Sequence, residues 1–383
     1  MVRFQYIRSV VFWAIVALFF STPLWSQAGF QFGQNKVQYK NFDWQVFRTE
    51  HFDVHYYPEM EASARDAARM AERGYAYLSQ VLNHQIKERI PLILYASMND
   101  FQQTNTVQSM IGSGTRGVTE SLKKRVILPM TGSYREFNHV LVHELVHAFQ
   151  YDIIFAKEGG NRRFNPPLWF IEGMAEYLSI NLDNTTRMWM RDGLEHDKLL
   201  SIDQLNRAAD IRVYRLGESV FHYVGAQYGK AMIGNLLKDA VQTGSVEQAF
   251  KKNLSKDNKQ LTEAWHANAR QVALPADSAL FQSPEAAATQ LTSRENFYHR
   301  MNLTPAVSPD GNSIAYISNE DLNEDIYLLT RNAQGEWENH RLVSGGSSRQ
   351  FEALGFFETA IGWSPDGRRI AFVSKSGKDD AIY

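Results

Sequence analysis

Two histidines stand four residues apart in His143-Glu144-Leu145-Val146-His147. On a helix they share one face, about 40° apart around the axis. Both imidazoles can then reach one metal ion at about 2.0–2.1 Å, a distance and ligand type that suit Zn2+. Glu144 is turned about 100° from His143. Its carboxylate comes beside the ion, where it can take a proton from a water. Such a set points to metal-assisted hydrolysis.

Phe137, Val140, Leu141, Val142, Leu145, Val146, Ala148 and Phe149 surround the motif, so the helix that carries it is apolar nearly all round and belongs in a core. Buried histidine and glutamate need partners. Ordinary hydrogen bonds are one solution; a metal serves all three side chains at once. His139 lies one turn before His143, but about 12 Å along the axis from His147, too far to share a tetrahedral ion with it. It is expected in a supporting or structural role.

Catalytic zinc takes three protein ligands and keeps a fourth position open. The next acids on an apolar stretch are Glu172 and Glu176, one turn apart among Trp169, Phe170, Ile171, Met174, Leu178 and Ile180. Asn165 is the expected N-cap of that helix, with Pro166 at its first position. Gly173 removes bulk beside Glu172, which suits close approach of another helix.

His-Glu-x-x-His followed by Trp169-x-x-Glu172-Gly173-x-Ala175-Glu176-Tyr177 resembles the gluzincin metallopeptidases, the group of the thermolysin-like and aminopeptidase-N-like enzymes. The resemblance implies that Glu172 is the third zinc ligand and that Glu176 orients a ligand histidine from outside. Tyr214-x-x-Gly217 resembles the aminopeptidase pattern whose tyrosine stabilises an oxyanion. Tyr214 is equally compatible with a packed tyrosine whose hydroxyl reaches the surface. His222, the competing donor, reads better as structural. The interval between His147 and Glu172 has 24 residues, longer than in the aminopeptidases, so residues 153–164 are expected as a surface loop. The resemblance spans about residues 40–250 and is specific only at the two helices.

Organisation along the chain supports an α+β fold. Residues 42–57 alternate as one or two strands, 59–83 form an amphipathic helix, and 89–96 and 125–130 are strands around a glycine-containing turn at 112–117. Helices follow from 134 to about 270. A mixed sheet followed by helices suits a thermolysin-like catalytic domain, and family analogy makes residues 124–130 the edge strand along the cleft, where an extended peptide could pair.

The 383 residues allow two domains, and a formal charge of −2 gives no bias toward nucleic acid or anionic membrane. Arg3 and Arg8 precede an apolar run at 10–20, with Ser26-Gln27-Ala28 as a cleavage site, the form of a signal peptide over residues 1–28. The run is short for a membrane-spanning helix, and an uncleaved anchor is the alternative. The chain has no cysteine, which for an exported protein favours a bacterial periplasm or cell surface.

A peptidase domain is expected over 29–275 and a linker over 276–292. Over 293–383, Ser308-Pro309-Asp310-Gly311 and the strand after it recur as Ser364-Pro365-Asp366-Gly367 and its strand, and Ile326-Tyr327 recurs as Ile382-Tyr383. This repeat resembles TolB-like β-propeller blades. Two blades cannot close a propeller, so the sequence reads as the N-terminal part of a longer protein. The expectation is an exported zinc metallopeptidase with a peptide or protein substrate and a possible protein partner at the propeller. The alternative is a catalytically silent scaffold of the bacterial envelope; retention of Glu144 beside a full ligand set speaks against it.

Overall fold

The computed structural model describes residues 40–107, 111–112, 114–274, 284–292, 301–346, 350–356, 359–376 and 379–383. The expected signal peptide and part of the expected linker lie outside them.

Five strands form a mixed sheet: β1 (Gln45–Arg48), β2 (Phe52–Tyr56), β3 (Ile90–Tyr95), β4 (Val118–Glu120) and β5 (Arg125–Pro129), in the order β1-β2-β3-β5-β4. The β2–β3 and β3–β5 pairs are parallel; the two outer pairs are antiparallel. In β2, Phe52, Val54 and Tyr56 are buried in alternation, as a period of two requires. Helix α1 (Glu61–Leu82) buries Ala64, Ala67, Ala68, Ala71, Tyr75, Leu78 and Leu82, a single stripe at helical spacing. It stops where Asn83 turns left-handed at φ 46°.

The edge strand differs from the expectation. β5 is internal, and the three-residue β4 occupies the border. A strand that short shows no readable alternation, and Gly117 before it reads as part of the turn.

A short α2 (Met98–Phe101) lies between β3 and β4, and after β5 the chain becomes helical. α3 (Tyr134–Ile154) is capped by the Ser133 hydroxyl, which accepts from the Glu136 amide. α4 (Leu168–Ile180) is followed by α5 (Asn184–Glu195), α6 (Ile202–Leu205), α7 (Arg212–Tyr228), α8 (Ala231–Thr243), α9 (Val246–Leu254) and α10 (Asn258–Ala273). α4 starts later than expected: Pro167, not Asn165, is its N-cap. Pro167 pushes Pro166 out of the helical region, so no helix can begin there. The loop expected at 153–164 begins only at Phe155, because Ile153 and Ile154 are buried in the last turn of α3. It is not wholly a surface loop either: Phe164 is buried and Asn161 donates to the Val241 carbonyl.

One apolar core runs from Phe52 to Ala273. Separate, smaller clusters serve the C-terminal strands. There β6 (Asn302–Val307), β7 (Ser313–Ser318), β8 (Asp325–Arg331) and β9 (Trp337–Val343) make a four-stranded antiparallel sheet. The second copy of the repeat keeps the same pairing. Ala306 faces Ala315 as Gly362 faces Ala371, and Ile317 faces Ile326 as Val373 faces Ile382. The turns match bond for bond: the Ser308 and Ser364 hydroxyls each donate to the aspartate two residues on, at 2.6 Å. Gly311 and Gly367 take φ of 73° and 67°, which glycine adopts without strain. Among the described residues these sheets do not close into a barrel or propeller.

Candidate metal centre and cleft

α3 presents His143 and His147 on one face, and α4 packs across it. Their Nε2 atoms are 3.1 Å apart, and each is 3.3 Å from Oε2 of Glu172. Donors held about 2.0–2.1 Å from one tetrahedral ion stand roughly 3.3 Å from each other. The three atoms thus form the face of a tetrahedron of zinc size, and the donor set, two imidazoles and a carboxylate, fits Zn2+.

The outward nitrogens are fixed as well. His143 Nδ1 lies 3.1 Å from Glu176 Oε1, and His147 Nδ1 lies 2.8 Å from Gln150 Oε1. Both acceptors favour a proton on Nδ1, which leaves Nε2 with its lone pair toward the triangle. Gln150 is fully buried and donates a hydrogen bond from its side-chain Nε2 to the Ile171 carbonyl at 3.0 Å, next to Glu172. Sequence reasoning missed Gln150. Its position three residues after His147, on the same helix face, was the available signal.

A second group, His139, His143 and Glu176, also brings possible ligand atoms within 4.8 Å of one another. Arg215 makes it a poor cation site, because its guanidinium already stands 3.2 Å from Glu176 Oε2. His139 Nε2 is 3.4 Å from the same oxygen, within ion-pair distance but not aligned for a hydrogen bond. His139 therefore supports Glu176 and stays out of the triangle.

Charge in this cluster is balanced among buried groups. Burial opposes a charge on His143, but the carboxylates of Glu172 and Glu176 outweigh it and push its pKa up to about 10. Burial would raise Glu172 and Glu176; the imidazoles around them hold both far below the ordinary glutamate range instead. Such acids are neutralised either by protons on the imidazoles or by a cation.

Glu144 is buried beside the triangle and is held from the sheet. The Thr119 hydroxyl in β4 lies 2.6 Å from its Oε2 and 2.9 Å from its main-chain oxygen. Gly117 is pressed against it: a Cβ there would sit 2.9 Å from Glu144 Cγ. The three-residue edge strand thus sets the rotamer of this carboxylate.

α7 brings the remaining wall. Gly173 and Gly217 let α4 and α7 meet backbone to backbone, as the glycine beside Glu172 led one to expect. That contact brings Tyr214 over His143, ring centroids 6.3 Å apart and planes inclined by 17°. Burial, then the charges of Glu172, Glu144 and Glu176, keeps the Tyr214 phenol protonated and able to donate. Tyr151 stacks on His147, ring centroids 6.2 Å apart, its pKa pushed up to about 12 by burial and by Glu172 and Glu144. His222 faces Asn181 at 3.3 Å, apart from this cluster. An open cleft of about 720 Å³ reaches His143 and Glu144 between the segment preceding β4 and the start of α7.

No curated protein matches the chain. Residues 120–265 match the model of the BSP family, described as a peptidase of plants and bacteria. The matched stretch carries His143, Glu144, His147, Glu172, Glu176 and Tyr214 together, and this part of the chain is a peptidase-like domain.

Proposed function

We propose that the chain is an exported zinc metallopeptidase. The observation that carries this reading is the triangle of His143 Nε2, His147 Nε2 and Glu172 Oε2, with edges of 3.1–3.3 Å, beside a buried Glu144 that is not one of its corners. These three residues would hold the ion. Zinc bound there supplies a Lewis acid that polarises the scissile carbonyl and makes a water acidic at neutral pH.

The chain's own groups do the rest. Glu144 accepts the proton of the attacking water and returns it to the leaving amine. Tyr214 donates a hydrogen bond to the carbonyl oxygen as charge develops on it. Glu176 and Gln150 keep the two imidazoles in the productive tautomer. β4, with its outer edge unpaired among the described strands, offers main-chain groups to an extended peptide. The apolar run near the N-terminus and the absence of cysteine support export to a bacterial periplasm or cell surface. Residues 29–275 would be the catalytic unit, 276–292 the connection, and the repeats at 293–383 TolB-like blades that meet a protein partner.

Glu144→Gln tests the assignment. It preserves shape and removes the base, so zinc content should stay at one ion per chain while peptide hydrolysis falls by about a thousandfold. Hydrolysis at the parent rate would remove Glu144 from the mechanism.

A further inference from the structure

A second cavity, of about 340 Å³, lies between the peptidase-like domain and the second copy of the repeat. Its peptidase wall is the start of α2, with Ala96, Met98 and Asn99, and the end of β5. Its other wall is the repeat, with Phe356, Lys375 and Asp380. Arg116 lines both this cavity and the cleft that reaches Glu144. It directly precedes Gly117 and β4, so a peptide laid along that edge passes Arg116 on its way out of the cleft.

The two walls are tied together. Lys375 donates to Gln102 Oε1 at 2.7 Å, and Gln102 donates to the Ile111 carbonyl at 3.3 Å. Ile111 precedes Gly112, whose carbonyl accepts from the Thr115 amide, and Arg116 and Gly117 follow Thr115 to the Glu144 side chain. The repeat therefore braces the segment that forms the wall of the cleft.

Resting on the peptidase reading, we propose that this cavity is a remote subsite of the same groove, built half from the repeat, and that the substrate is an extended polypeptide long enough to fill it. Met98, Met130, Leu354, Phe356 and Val373 give it an apolar floor. Arg116, Lys375 and Asp380 give it a charged rim. An unfolded segment with apolar side chains matches both, whereas a dipeptide or a folded surface reaches only one end. The substrate class is thus unfolded polypeptide, and the cut is internal.

The test is binding of fluorescein-labelled random peptides to full-length Glu144→Gln protein by fluorescence anisotropy, so it needs no turnover. Peptides of about fifteen residues, roughly 50 Å when extended, should bind at least about tenfold more tightly than peptides of about five. Adding Ala96→Trp, which fills the cavity from its exposed rim, should remove most of that advantage. Asp380→Lys, on the opposite wall, should shift preference among long peptides toward acidic sequences by about threefold or more. Equal binding of long and short peptides, an advantage that survives Ala96→Trp, or a preference that Asp380→Lys leaves unmoved overturns the subsite. Zinc-dependent hydrolysis is scored separately on the parent: its failure would sink the peptidase reading and leave the binding result standing.

Discussion

Gly173 and Gly217 touch through their backbones. A Cβ on Gly173 would stand 2.3 Å from the Gly217 carbonyl carbon, and one on Gly217 would stand 2.6 Å from the Trp169 carbonyl oxygen. No side chain can yield at either point, because the obstructing atoms are main chain. The crossing of α4 and α7 therefore fixes the distance between Glu172 on one helix and Tyr214 on the other. Gly217→Ala should destabilise the protein by about 1–3 kcal/mol, the usual range for overpacking. Urea unfolding followed by fluorescence reads this, and an unchanged midpoint would show that the crossing has slack.

Gln150 links His147 to the main chain beside Glu172. Gln150→Leu keeps the volume and removes the acceptor that holds the imidazole. Zinc affinity, measured by competition with a chromogenic chelator, should fall about 10–100-fold. An affinity within a factor of about two of the parent would show that packing alone orients His147.

Glu218 supplies a pH dependence. It is fully buried in α7, accepts from the Asp183 amide and the Thr186 hydroxyl, and has Arg215 at 3.7 Å and the charge of Glu176 nearby. Burial raises its pKa to about 8 from an ordinary value of 4.5. The folded state then holds this proton more tightly than the unfolded state. Stability is intact below the unfolded value and declines as pH rises through the folded one. Glu218→Gln removes the titration. Its stability relative to the parent should improve steadily between those two pH values; a constant difference would show that Glu218 stays ionised in the fold.

Much of the site is legible in the sequence because its residues sit at helical spacing on apolar segments. His143, Glu144, His147, Glu172 and Glu176 each break a run of core residues. Gly173 announces a close helix contact for the same reason: a glycine within such a run has a packing purpose. The Pro-Asp-Gly repeat is readable because turn chemistry is local. What stays hidden depends on tertiary position. Thr119 holds Glu144 from a strand of three residues, too short to show a period. Arg215 reaches Glu176 across a helix pair, and no spacing within α7 reveals its partner. Pro166 alone reads as a helix start; Pro167 after it disfavours the helical region and moves the start on.

One assay reads zinc-dependent peptide hydrolysis at the His143, His147 and Glu172 triangle itself. Cleavage of a fluorescence-quenched peptide library is followed on the purified chain as isolated, after chelation, and after zinc is restored. Cleavage should disappear with the chelator and return with about one zinc per chain. Cleavage indifferent to chelation, or none from protein shown to carry zinc, would contradict it.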